Sequence, residues 1–246
     1  MKPRLSSLDR SVSTQLAATE YDRCATLLCS LDDPAWAEPT DCAGWDVRAM
    51  AAHMLGMVEM AASMRDGMRQ QRAASKDGGF HIDRLTALQV AERASWSGTR
   101  VADRYAERWP KAARARRRVP GLMRRRPVPS GVINGVEEPW TMGYMLDVIL
   151  TRDQWMHRMD ISRALDRVPN VTADHDGVLV ADVVEEWAQR HGKDFTLQLG
   201  GPAGGTWAVG SGDPLIELDA VEFCRVLSGR AGHLPLSELM GTEVPF

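Results

Sequence analysis

The sequence predicts a mainly α-helical protein with a small α+β tail. Three observations carry that fold class. Before Pro169, apolar residues recur at three- and four-residue spacing in four long stretches. Loops dense in Pro, Gly and Asp separate these stretches. After Pro169 the pattern changes to one more helical stretch, short alternating runs between glycine-rich turns, and a final helix. The expected architecture is an antiparallel four-helix bundle over residues 1–168 and a small second domain over 169–246.

Each element has its own signal. Residues around 13–30 carry Leu16, Tyr21, Cys24, Leu27 and Leu28 on one side of a helix. The loop 32-DDPAWAEPTDCAGW-45 ends at a helix start near Asp46, and Val47, Met50, Met54, Met57, Val58 and Met60 then recur into the high sixties. The glycines of 77-DGG-79 separate that helix from a third, about 82–109, which Pro110 is expected to end or kink. A fourth helix starts at 139-PWTMGYML and runs to Leu165, before the stop 166-DRVPN-170. In the tail, 174–191 reads as a helix with Val178, Leu179, Val183, Val184 and Trp187 on its apolar side. Phe195, Leu197 and Leu199 alternate as a half-buried strand does, and the last helix, 219–229, closes on a glycine.

Composition narrows the function classes. The chain has 246 residues, 44% hydrophobic and 26% charged, with a formal net charge of −3. Such a balance gives no reason to expect nucleic acid or an acidic membrane as partner. No apolar run approaches the roughly 18–20 residues of a membrane span, and MKPRLSSLDRSVS has no apolar signal core. Cys24, Cys29, Cys42 and Cys224 are irregularly spaced and fit reduced thiols, so a cytoplasmic location is expected. The segment 114-RARRRVPGLMRRR-126 is read as a solvated loop between the third and fourth helices. The scattered tryptophans Trp36, Trp45, Trp109, Trp140 and Trp187 are read as packing anchors, and His81, His175, His191 and His233 as loop or terminal residues.

The fourth helix carries the chemistry. Leu146, Ile149, Leu150, Asp153, His157, Asp160, Ile161 and Ala164 follow one another at threes and fours, so an apolar stripe holds two acids and a histidine at its centre. Buried carboxylates need a salt bridge, hydrogen bonds or a metal. Arg152, Arg158 and Arg163 project from other faces of the helix and are poor partners for the stripe. His53, on the apolar edge of the second helix, offers a third donor. With Asp153 and His157 it would make an N2O set suited to zinc with positions open to water or substrate. Hydrogen-bonded core residues remain the alternative at this point. Cys42, near the start of the second helix, could be a low-pKa thiol, but no base accompanies it.

The segments 39-PTDCAGWDVRAMAAHMLG-56 and 155-WMHRMDISRALDR-167 resemble the two signature stretches of the mycothiol-dependent maleylpyruvate isomerase family. That resemblance implies a DinB-like metal-binding bundle followed by a sterol-carrier-like α/β domain. It implies that His53, Asp153 and His157 bind a divalent metal, usually zinc, with Asp153 standing where the family has glutamate. Asp160 is then a supporting acid. The resemblance also makes Arg225 and Arg230 of the tail candidates for binding a substrate carboxylate. The activity implied is a metal-dependent isomerisation or S-transfer on a small electrophile, with mycothiol as co-substrate. The alternatives kept open are a metal-assisted hydrolase and a non-catalytic ligand-binding or regulatory protein. The expected partners are the small substrate and the thiol. A homodimer is compatible with the sequence, while membrane and nucleic acid are not expected.

Overall fold

The structure is a computed structural model that describes residues 2–75, 82–128, 132–133, 135–230 and 237–246. The glycines 77-DGG-79, His81 and His233 lie outside the described residues. Contacts divide the chain into two compact units, one formed by Met1–Gly131 with Glu138–Pro169, the other by Val132–Glu137 with Asn170–Phe246. No helix among the described residues is long and apolar enough to cross a membrane.

In the first unit, four long helices pack on one another: α1 (Arg10–Cys29), α2 (Val47–Ala62), α5 (Gly98–Arg118) and α8 (Leu150–Ala164). Their starts follow capping chemistry. The Asp9 carboxylate accepts the Ser11 amide, and the Asp46 carboxylate accepts the Ala49 amide at 2.7 Å. Each such cap is worth about 1 kcal/mol over alanine. The core between the helices holds Tyr21, Leu28, Met50, Met54, Leu55, Val101, Tyr105 and Ile161, all buried. α5 begins against Trp36, and a Cβ on Gly98 would fall 2.0 Å from the Trp36 ring. Only glycine lets the helix approach the indole so closely.

Two expected helices are each divided. The second stops at Ala62, because Ser63 is extended (φ −147°, ψ 118°) and turns its hydroxyl to the Asp66 amide, starting α3 (Met64–Ala74). Serine competes with the helix backbone through its own side chain, which apolar periodicity does not register. The third is divided into α4 (Ile82–Ala91) and α5, with Ser97 capping the latter. Pro110 does not end α5, which runs through it to Arg118. Packing of this helix against α1 and α2 outweighs the hydrogen bond the proline removes.

The basic segment is mostly solvated, as expected, but it is largely helical rather than a loop and one of its arginines is buried. Arg114 to Arg118 form the last turns of α5, and Arg116 is buried. Its guanidinium donates to the Tyr21 hydroxyl at 3.0 Å, to Thr151 Oγ1 at 2.6 Å and to the Leu146 carbonyl. A short helix, α6 (Gly121–Arg124), follows, and Arg124 pairs with Asp147.

The fourth helix is also assembled in pieces. β1 (Pro127–Val128) pairs with β4 (Trp140–Thr141), while β2 (Val132–Ile133) pairs with β3 (Val136–Glu137). The helical turn α7 (Met142–Tyr144) then leads through a π-helical stretch, Met145–Ile149, into α8. Arg116 donates to groups at both sides of the π-to-α junction, Leu146 and Thr151, and so pins it. α8 is buried on several faces: Arg152 and Arg158 are as enclosed as Trp155, and Arg158 meets Glu20 of α1 at 2.6 Å. Arg152 and Arg158 therefore project into protein rather than water, whereas Arg163 is exposed and meets Asp41 at 3.1 Å.

The second unit contains α9 (Asp176–His191), a three-stranded sheet and α10 (Ala220–Leu227). In the sheet, β5 (Phe195–Gly200) lies between β6 (Gly205–Val209), antiparallel to it, and β7 (Leu215–Asp219), parallel to it. Phe195, Leu197 and Leu199 face inward, and Trp187 of α9 contacts the rings of Phe195 and Phe223 edge-on. Gly192, at φ +63°, ends α9 in the left-handed region where a side chain is disfavoured.

Replacing Arg116 by Ala should cost about 2–4 kcal/mol, since three buried acceptors lose a charged donor. Replacing its exposed neighbour Arg117 should cost no more than about 0.5 kcal/mol. Urea denaturation of the two variants measures the difference.

Candidate metal centre

Three donors from two helices converge where α2 faces α8. His53 is held on α2 by the apolar positions around it, Met50, Met54 and Met57, which lock that helix into the core. Asp153 and His157 stand one turn apart on α8 and so project together. His53 Nε2 lies 3.1 Å from Asp153 Oδ1, and His157 Nε2 lies 3.5 Å from the same oxygen. One donor atom from each of the three residues falls within 4.8 Å of the others. The two imidazoles meet edge-on, with ring centroids 5.1 Å apart.

Each of the three has a polar residue behind it. The second nitrogen of His53, Nδ1, is 2.7 Å from Gln89 Oε1 on α4. The second oxygen of Asp153, Oδ2, accepts from Gln154 Nε2 at 2.9 Å, and Gln154 Oε1 accepts the Tyr105 hydroxyl at 2.6 Å. The second nitrogen of His157, Nδ1, is 3.3 Å from Asp160 Oδ2. Asp160 is thus on the far side of His157 from Asp153. Burial pushes the Tyr105 hydroxyl far above its ordinary pKa, so it serves Gln154 as a neutral donor.

The electrostatics centre on Asp153. Burial alone pushes its carboxyl pKa up, but the charges and hydrogen bonds of His53 and His157 more than reverse this and hold it well below the usual carboxylate range. An ionised carboxylate therefore faces two imidazole nitrogens in a largely dry pocket. His53 and His157 are buried, while Asp153, Trp45 and Cys42 are half-buried, marking the side that solvent reaches. Trp45 walls that side, its ring 5.4 Å from His53 and 6.2 Å from His157 between centroids. Cys42 forms a second compact group with His157 and Asp160, again with one donor atom each within 4.8 Å.

The donor spacing can be compared with what a metal requires. Two ligands about 2.0–2.1 Å from a tetrahedral zinc ion lie about 3.3–3.4 Å from each other. The separations of 3.1 and 3.5 Å bracket that figure. Two nitrogens and one oxygen suit zinc or a similar divalent ion, with coordination positions left for an exogenous ligand.

The structure brings His53, Asp153, His157 and Asp160 together. Arg225 and Arg230 belong to the second unit. There Arg225 is buried on α10, with Nε 3.3 Å from Glu222 Oε2, and Arg230 is half-buried just beyond the helix. Sequence reasoning missed Gln89, Gln154 and Tyr105, which order the centre, and gave Trp45 only a packing role. Gln154 had a signal, being a polar residue inside a buried stretch; Gln89 had none that spacing could reveal.

Residues 17–162 match the family model described as the mycothiol maleylpyruvate isomerase N-terminal domain. Two solved structures align over 93% of this chain and 96% of their own. One is the crystal structure of the mycothiol-dependent maleylpyruvate isomerase, at a TM-score of 0.59 and 14% identity. The other is a histidine-to-alanine mutant of that enzyme, at 0.58 and 14%. At this identity the likeness shows the fold. No curated protein matches the chain.

The lowered Asp153 pKa has a consequence for stability. A carboxyl whose folded pKa lies below its unfolded value, near 3.9, contributes stability above that value and loses it as pH falls through the folded pKa. Urea midpoints of the wild type should therefore exceed those of Asp153→Asn at pH 5 and above, and the gap should narrow steadily as pH falls below about 4. Parallel curves down to pH 2 would contradict the assignment.

Proposed function

The chain belongs to the mycothiol maleylpyruvate isomerase N-terminal domain family, and from that membership we propose a metal- and thiol-dependent enzyme whose metal ligands are His53, Asp153 and His157. The observation that carries this reading is the shared oxygen: two imidazole Nε2 atoms approach Asp153 Oδ1 at 3.1 and 3.5 Å, the spacing of ligands around one zinc ion. A bound divalent cation supplies acidity, lowering the pKa of a coordinated thiol so that thiolate is present at neutral pH.

The chain's own residues have distinct tasks. His53 and His157 offer neutral nitrogen lone pairs, and Asp153 offsets part of the cation's charge. Gln89, Gln154 and Asp160 hold the three ligand side chains in register. Trp45 closes one wall with an apolar ring. The low-molecular-weight thiol is mycothiol in this proposal. Its thiolate adds to an activated double bond of a small substrate, rotation follows about the resulting single bond, and expulsion of the thiolate restores the double bond in the other geometry. A substrate with a leaving group or epoxide would instead keep the sulfur, which is S-transfer. Arg225 and Arg230 are proposed as candidates to meet a carboxylate on such a substrate. Aspartate in place of the family's glutamate shortens one ligand arm by a methylene, and Gln154 holds its Oδ2.

Purified wild type should hold about one equivalent of zinc per chain, and His53→Ala and His157→Ala should hold little while keeping their helical circular dichroism. Zinc-free wild type, or full zinc content in both variants, would refute the ligand set. With zinc present, consumption of a maleyl-type electrophile should require added mycothiol. Turnover without thiol would instead identify a metal-assisted hydrolase.

A further inference from the structure

We propose that Gln70 and Gln89 form a buried amide relay that fixes the His53 ring as the tautomer protonated on Nδ1, with the backbone carbonyl of Gly56 setting its direction. Gln70 and Gln89 are thus positioning residues. The consequence for metal binding rests on the ligand set proposed above, but the tautomer itself is a property of the metal-free chain.

The relay is read from its one end that cannot be reversed. The Gly56 carbonyl only accepts, so the Gln70 amide atom 3.2 Å from it must be the NH2 group. Gln70 Oε1 is then left to accept, and the Gln89 atom 2.8 Å away must be its NH2 group. That orientation puts Gln89 Oε1 at 2.7 Å from His53 Nδ1, where the oxygen requires a donor. The ring proton therefore sits on Nδ1, and the lone pair of the neutral imidazole is on Nε2. The second contact of Gln89 Nε2, Met57 Sδ at 3.3 Å, agrees, because a thioether accepts and cannot donate.

Burial makes the direction binding. Gln70 and Gln89 are fully buried and His53 is 2% exposed, so no bulk water re-pairs a reversed amide. Reversing Gln89 would set oxygen against oxygen at Gln70, or require Gln70 to present its oxygen to the Gly56 carbonyl. Each such clash leaves buried polar groups unsatisfied. The chain is also fixed in place: a Cβ on Gly56 would fall 2.5 Å from Gln89 Cγ, so glycine is what lets the Gln89 side chain lie flat on α2.

The result is an arrangement that calls for a cation. In the ring protonated on Nδ1 alone, the Nε2 lone pair points toward Asp153 Oδ1, itself an acceptor, at 3.1 Å. The place between them is filled either by a proton, whose hydrogen bond holds the Asp153 carboxyl down, or by a metal in its stead. Two acceptors at that distance are reconciled by a positive centre between them. A histidine held as the opposite tautomer would have to give up its Nε2 proton, and Nδ1 would have to gain one, before a metal could bind there.

The test is ¹⁵N NMR of the metal-free protein with labelled histidine, at a pH where the ring carries one proton, joined to zinc affinity by chelator competition. Wild-type His53 should show the proton on Nδ1. Gln70→Leu, which removes a residue that touches neither His53 nor the ligands, should raise the Nε2-protonated fraction and weaken zinc binding about 10-fold or more. Gln89→Leu should do the same, while Gln89→Glu, which keeps an acceptor opposite Nδ1, should preserve the tautomer. A wild-type ring protonated on Nε2 overturns the proposal, as does an unchanged tautomer in folded Gln70→Leu and Gln89→Leu. If zinc does not bind but the Nδ1 proton is found, the relay stands and the ligand assignment fails.

Discussion

A largely enclosed carboxylate shared by two imidazoles is the constraint around which the helical unit is organised. Asp153 Oδ1 faces His53 from α2 and His157 from its own helix. An ionised group there is tolerable only if its remaining surface is also satisfied. Gln154 and Tyr105 meet that requirement on the Oδ2 side. Tyr105 comes from α5, so three helices of the bundle are tied to one side chain. The glutamines of α3 and α4 tie in two more through His53.

That dependence explains features that look unrelated in the chain. The break at Ser63 starts α3 anew and brings Gln70 back over Gly56. The break between α4 and α5 lets Gln89 approach α2 on a separate element. The π-helical stretch before α8, held by Arg116, sets the rotation with which Asp153 and His157 emerge. The surrounding core of Met50, Met54, Tyr105 and Ile161 then keeps the two site helices at a fixed separation.

Much of this was legible in the residues. Apolar periodicity located the helical stretches of the bundle, though not their breaks or the run of α5 through Pro110, and the i, i+4, i+7 pattern placed Asp153, His157 and Asp160 on one inward face. His53 followed from its place on the edge of an apolar stripe. The breaks were not legible, because Ser63 and Ser97 act through single hydroxyl caps that leave the apolar pattern nearly unchanged. The basic segment misled for a different reason: composition does not distinguish Arg116, whose charge is buried against three acceptors, from Arg117, which is exposed. Gln70 and Gln89 were invisible, since a glutamine acquires a direction only from partners distant in sequence.

The most direct measurement of the central claim is a crystal of the protein grown with zinc, with anomalous differences recorded across the zinc edge. The account predicts one strong peak within about 2.0–2.2 Å of His53 Nε2, an Asp153 oxygen and His157 Nε2. No peak at that position, or a peak held instead by Cys42 and Asp160 on the other side of His157, would contradict it.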